Sequence, residues 1–184
     1  MVPFEPPRCL LTMATFTARR ANERDLASLE QLCTEASKTV PLWSLRRDRF
    51  NASAWLSSRA PLVVVADGTT AIGFAAALSE NVPLPASKCA EALVYVSAKH
   101  RRRGAARAVV SELLLTARTM GLWKLMAYSL PEDPAAKTLL ERVDFRVVGG
   151  LVKHVQVEGG WRDVVVHERL VMAARKSMPS FSDA

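Results

Sequence analysis

Three consecutive arginines stand directly before the start of a helix, and nothing else in the chain constrains its fold as strongly. Upstream of His100-Arg101-Arg102-Arg103-Gly104-Ala105-Ala106 lies the short β-rich run Ala92-Leu93-Val94-Tyr95-Val96; downstream, Val109, Val110, Leu113, Leu114, Ala117 and Met120 recur at helical spacing. A helix N-terminus carries the positive end of the helix dipole, so adjacent cations there are unfavourable unless an anion lies between them. A strand, a basic turn with a glycine and an amphipathic helix form an anion cradle out of backbone N–H groups. Its residues are Arg101, Arg102, Arg103, Gly104, Ala105 and Ala106, and Gly104 and Ala105 let the backbone come close to a pyrophosphate. A solvated arginine cluster at a helix start is the other reading of the same residues.

With 184 residues, 49% hydrophobic and 23% charged, the chain suits one well-buried domain. The expected division is an N-terminal extension over 1–13, with Met13 an alternative start, a single domain over 14–174 and a frayed tail over 175–184. No apolar run approaches the roughly 20 residues needed to span a bilayer, so no membrane partner is expected. The opening Met1-Val2-Pro3-Phe4-Glu5-Pro6-Pro7-Arg8 lacks the basic start and apolar core of a secretory signal. Cys9, Cys33 and Cys89 are odd in number and widely spaced, which argues for free thiols in a reducing cytoplasm. The three histidines form no pair at ligand spacing, so no metal is expected. The net charge of +7 invites a nucleic-acid reading, but the cations are scattered from Arg19-Arg20 to Arg175-Lys176 and no nucleic-acid motif accompanies them. No nucleic-acid partner is expected.

Periodicity gives a strand over Thr15 to Ala21, then a helix capped by Asn22-Glu23-Arg24-Asp25 and carrying Leu26, Leu29 and Leu32. A second short helix is expected over Arg47 to Ser58, after a break at Pro41. Strands over Pro61 to Ala66 and Ala71 to Leu78 meet through Asp67-Gly68, a hairpin signal. After a loop around Pro83 and Pro85 come the strand ending near Ser97, the helix from Gly104 to Met120, a strand from Leu122 to Tyr128 and a helix from Pro134 to Val143. Phe145 to Val148, Leu151 to Val157 and Val164 to Val171 complete the sheet.

Read as Arg-x-x-Gly-x-Ala, residues 101–106 match the acetyl-CoA loop of the GNAT superfamily of N-acetyltransferases, and the element order over Thr15 to Val171 resembles that whole fold. Within the superfamily the C-terminal half is most similar to the phosphinothricin acetyltransferase branch. That likeness rests on Glu91-Ala-Leu-Val-Tyr95-Val-Ser, His100-Arg-Arg-Arg-Gly104, Leu130-Pro131-Glu132-Asp133-Pro134 and the turn Gly159-Gly160-Trp161-Arg162-Asp163-Val164. The resemblance implies an α/β (α+β) GNAT fold: a central mixed, mostly antiparallel sheet of six to seven strands with about four helices on both faces. It implies acetyl-CoA as cosubstrate and a homodimer. Val94 and Val96 would pair with the pantetheine arm through their backbone, and the amides of Arg101 to Ala106 would hold the diphosphate.

Glu91 falls where phosphinothricin-type enzymes carry their catalytic glutamate. An acceptor amine is mostly protonated near neutral pH, and a carboxylate can take its proton directly or through one water, which makes Glu91 the candidate general base. A strand-end glutamate paired to an arginine is the alternative. The position where the family carries an acid on the last helix, Tyr or His, is Leu140, which cannot protonate a departing thiolate; Tyr128 is the candidate substitute. The Asn that usually contacts the CoA arm falls at Glu132 or Asp133, and Asp133 is the candidate for cofactor binding there. The usual glycine before Phe145 is Asp144, strained only if that turn needs a positive φ. For the acceptor, Trp43, Arg46 and Trp161 are candidates, with core or interface packing as the other reading for the tryptophans. The expected function is acetyl transfer from acetyl-CoA directly to the primary amine of a small amino-acid-like substrate of the phosphinothricin or methionine sulfone type. The alternatives are a protein or peptide N-acetyltransferase and a catalytically weak acyl-CoA-binding sensor.

Overall fold

A computed structural model describes residues 16–44, 51–58, 60–79, 88–157 and 159–171. The expected extension, the tail and Arg46 lie outside them. The first strand, β1 (Thr17–Arg20), runs into a cap that starts α1 (Leu26–Thr39). Asn22 Oδ1 accepts from the Arg24 N–H while Asp25 Oδ2 accepts from the Asn22 N–H, so two orphan donors of the helix start are satisfied reciprocally.

Asp25 also takes both terminal nitrogens of Arg19, at 2.7 and 2.8 Å. The Arg19 hydrogen bonds outweigh burial and hold the Asp25 carboxyl below its ordinary pKa. A folded-state pKa below the unfolded one stabilises the fold above about pH 4 and loses that contribution as pH falls through the folded value. Asp25→Asn should therefore cost about 1–2 kcal/mol at neutral pH. In thermal melts the gap between wild type and variant should close toward acid; a gap constant through the acid range would contradict this account.

A single turn, α2 (Pro41–Ser44), follows α1, and α3 (Ala52–Ser57) comes next. Pro41 thus opens a helix as well as ending one, because proline at a first helical position forfeits only an N–H that is orphaned anyway. The helix expected over Arg47 to Ser58 is shorter within the described residues, beginning only after Asn51, whose side chain accepts from the Ala54 N–H. The hairpin of β2 (Leu62–Asp67) and β3 (Thr70–Leu78) turns through Gly68 at φ +61°. After β4 (Cys89–Val96) come α4 (Ala105–Thr119), β5 (Lys124–Ser129), α5 (Pro134–Arg142), β6 (Arg146–Val157) and β7 (Gly160–Leu170). The two strands expected over 145–148 and 151–157 are one strand, β6: Gly149 and Gly150 stay paired with Val166 and Val165, and the register against β7 shifts on either side of them, between Val147 and Gly149 and again between Leu151 and Val155.

The seven strands lie in the order β1-β2-β3-β4-β5-β7-β6, all antiparallel except β4 with β5. One face packs Leu29, Leu32 and Ala36 of α1 and Trp55 of α3 on Phe74, Leu93 and Tyr95. The other packs Val109, Val110 and Leu113 of α4 and Leu140 of α5 on Ala75, Ala92 and Leu125. Alternation along β4 therefore assigns Glu91, Leu93 and Tyr95 to the α1 face and Ala90, Ala92, Val94 and Val96 to the α4 face. Cys33 and Cys89 are buried free thiols, and burial pushes the Cys33 thiol up to about 12, so it behaves as a core residue. Among the described residues no helix is long and apolar enough to cross a membrane, and no His, Cys, Asp and Glu side chains group as a metal site.

Candidate active site

The one parallel pair in the sheet is also its shortest ladder. Strands β4 and β5 pair only over Cys89↔Lys124, Ala90↔Leu125 and Glu91↔Met126, and then part, although β4 continues to Val96 and β5 to Ser129. A wedge therefore opens beyond Glu91, edged by the backbone of residues 92–96 on one side and 127–129 on the other. Glu91 sits at its apex, 3% exposed, on the α1 face. Val94 is half-buried at the edge and Val96 buried near the mouth.

Beyond the mouth of the wedge lies the arginine turn. Arg102 at φ +60° and Gly104 at φ +89° both take the left-handed conformation, on either side of Arg103. Gly104 is the N-cap of α4 and no side chain caps the helix, so the first-turn N–H groups of Ala105, Ala106 and Arg107 face outward for an anion. A Cβ at Gly104 would meet nothing within 4 Å, which leaves room there for a ligand. The arginines divide their work. Arg101 Nε donates to Val96 O at 3.0 Å and its guanidinium lies 5.5 Å from the Tyr95 ring centroid, so it ties down the end of β4. Arg103 lies 5.4 Å over the Phe16 ring. Arg102 is exposed.

Other expected site residues are distributed unevenly. Tyr128 is half-buried on the same face as Glu91 and Met126. Asp133 is the N-cap of α5: its Oδ1 accepts from the Ala136 N–H at 2.9 Å. Glu132 instead pairs with Arg162 at 3.5 Å. Leu140 is 6% exposed in the α4-side core. Trp161 is 60% exposed on β7, so the core-packing reading fails for it. Trp43 belongs to α2, but its side chain lies outside the described residues, as does all of Arg46. Asp144 does need a positive φ, at +58°, where its carboxylate meets Arg169 at 3.4 Å.

Sequence reasoning missed a second basic surface. A cavity of about 230 Å³ lies between α4 and the end of α5, lined by Arg107, Ser111, Arg142, Asp144 and Arg169. It begins on the first turn of α4, next to the anion cradle, and its three guanidinium groups outnumber its single carboxylate. Arg107 follows the motif by one residue and is a legible signal; Arg142 and Arg169 are brought there by tertiary structure alone.

The model of the Acetyltransferase (GNAT) family matches residues 24–145. The chain belongs to that family. It is an acetyltransferase that uses acetyl-CoA. No curated protein matches significantly. Among solved structures, it is similar to a putative acetyltransferase (yncA) of Salmonella typhimurium crystallised with acetyl-CoA, with 21% identity, 86% of this chain and 95% of that one covered, and a TM-score of 0.76. A phosphinothricin acetyltransferase of Sinorhizobium meliloti in complex with acetyl-CoA gives 23%, 91%, 95% and 0.72. A ribosomal-protein-alanine N-acetyltransferase of Brucella melitensis gives 23%, 84%, 99% and 0.72. At these identities the neighbours establish the GNAT fold and leave the acceptor open.

Proposed function

We propose that this GNAT acetyltransferase acetylates the primary amine of a small amino-acid-like acceptor, of the phosphinothricin or methionine sulfone type. The observation that carries this reading is the contact between α2 and β6. Helix α2 follows α1, which packs on the sheet face that carries Glu91, while β6 lies on the far side of the wedge in the strand order, so their contact spans from one side of the wedge to the other. A roofed acceptor side suits a small molecule better than an extended peptide. The Sinorhizobium neighbour, named a phosphinothricin acetyltransferase, supports the same class; the Brucella neighbour, named for a ribosomal-protein alanine, supports the peptide alternative.

Acetyl-CoA supplies an acetyl group already activated as a thioester. In this reading the amides of residues 101–106 hold the diphosphate, with Arg107 and Arg142 adding charge beside it, and the backbone of Val94 and Val96 aligns the pantetheine arm. Glu91 removes the proton from the acceptor ammonium, directly or through one water, and frees the lone pair for attack. Transfer is direct, with no acetylated side chain. Release of CoA thiol across a panel of phosphinothricin, methionine sulfone, polyamines and alanine-initiated peptides tests the acceptor class. Turnover confined to peptides would overturn the small-molecule reading.

The same proposal includes a cytoplasmic homodimer, in keeping with the free buried cysteines. Strand β7 pairs with β5 only over residues 165–170, so the other end of the β6–β7 hairpin projects past the sheet, with Val152 78% exposed. A lone two-stranded ribbon is marginal in water, and a second copy covering it would bury that apolar surface. Light scattering should give twice the chain mass for wild type and a monomer for Val152→Asp; a monomeric wild type would refute the dimer.

A further inference from the structure

Five polar or charged side chains are buried among the described residues, and two of them, Ser129 and His167, bond to one another. Ser129 Oγ and His167 Nε2 lie 2.9 Å apart, and the residues are 4% and 1% exposed. His167 Nδ1 is buried with no hydrogen-bond partner among the described residues. Burial holds the imidazole below its ordinary pKa, against a weaker upward pull from Glu141, so the ring is mostly neutral near neutral pH. A buried ring with one orphaned nitrogen is a costly way to fill a core.

The place of the pair in the sheet gives it a use. Strand β7 stays paired with β5 as far as Ser129↔Val165, whereas β4 leaves β5 after Glu91↔Met126. Ser129 thus edges the wedge, and the β4–β5 register continued in equal steps sets it opposite Val94, on the α4 face. Leu140, packed into the core on that same face, offers no hydrogen-bond donor. A thioester that loses its acyl group leaves a sulfur anion, which needs one.

We propose that the Ser129 hydroxyl donates a hydrogen bond to the CoA sulfur as it departs, and that His167, donating from Nε2 into Ser129 Oγ, turns that hydroxyl toward the wedge. The proposal rests on the acetyl-CoA site described above. The C–S bond breaks with its electron pair on sulfur, Ser129 keeps its proton, and the proton the sulfur finally takes up is the one the amine surrendered. Ser129 is then a catalytic residue and His167 a positioning residue. The arrangement leaves Nδ1 as a bare acceptor.

Titration of the thiol of bound CoA by its thiolate ultraviolet absorbance reads this interaction without turnover. Loss of a hydrogen bond to a charged acceptor should raise the bound thiol pKa by about one unit in Ser129→Ala, about tenfold less thiolate at fixed pH. Ser129→Thr should restore the wild-type value, and Tyr128→Phe should leave it unchanged. Should Ser129→Ala fail to fold, His167→Gln, which keeps a donor toward Ser129, must retain the wild-type pKa, and His167→Leu must raise it. An unchanged pKa in Ser129→Ala with CoA still bound overturns the proposal and leaves the cleft standing, as does a rise produced by Tyr128→Phe instead. Failure of the wild type to bind CoA overturns the cleft and the proposal together.

Discussion

Glu91→Gln is expected to lower kcat for acetyl transfer by about 10²- to 10⁴-fold, the range contributed by a positioned general base, while leaving acetyl-CoA affinity unchanged. The amide is nearly isosteric and keeps a polar group at the apex of the wedge, where a carboxylate is 3% exposed. It cannot accept the proton that the acceptor ammonium must lose. Calorimetry with acetyl-CoA separates this from damage to the site: binding preserved with turnover lost identifies a base. Turnover within a few fold of wild type would show that Glu91 is a structural carboxylate at the strand edge, the alternative its sequence context allowed.

Gly104→Asp is expected to weaken acetyl-CoA by about tenfold to a hundredfold, or about 1.4–2.8 kcal/mol, without unfolding the protein. Asp tolerates the left-handed conformation better than most residues, and its side chain meets nothing within 4 Å of the new Cβ. It is also a strong N-cap for a helix that has no side-chain cap. Its carboxylate would take the N–H groups and the dipole that the diphosphate needs and would repel the phosphates as well. The left-handed backbone at residue 104 strains any side chain, so the variant should melt somewhat earlier than wild type, yet a fully folded protein that binds poorly is a combination that simple misfolding cannot produce. Unchanged affinity would remove the α4 start from the binding site.

What could be read in the sequence was local. The arginine turn is legible because its charges, its glycine and the two flanking periodicities lie within 30 consecutive residues. The Asn22 cap and the Asp67-Gly68 hairpin are legible for the same reason. Strand β6 was misread as two because Gly149-Gly150 resembles a turn, and only its ladder with β7 keeps the chain extended there. The wedge was out of reach, since nothing in β4 or β5 alone says that they part after Glu91↔Met126. The bond between Ser129 and His167 spans 38 residues of sequence and depends on β7 inserting between β5 and β6. Arg142 and Arg169 look like ordinary surface cations until α5 packs beside α4.

The three-pair junction between β4 and β5 makes the sheet two blocks, β1 to β4 and β5 to β7, joined by a seam that α4 alone bridges in sequence. With the arm of acetyl-CoA placed along the open edge of β4, as proposed above, the cosubstrate would act as a removable strand across that seam, and binding of the folded state alone would add RT ln(1 + [L]/Kd) to its stability. The seam is the first place such a sheet opens when empty and the place that tightens most when filled. On that placement, resistance of this protein to heat and proteolysis should rise and fall with the acetyl-CoA its surroundings hold.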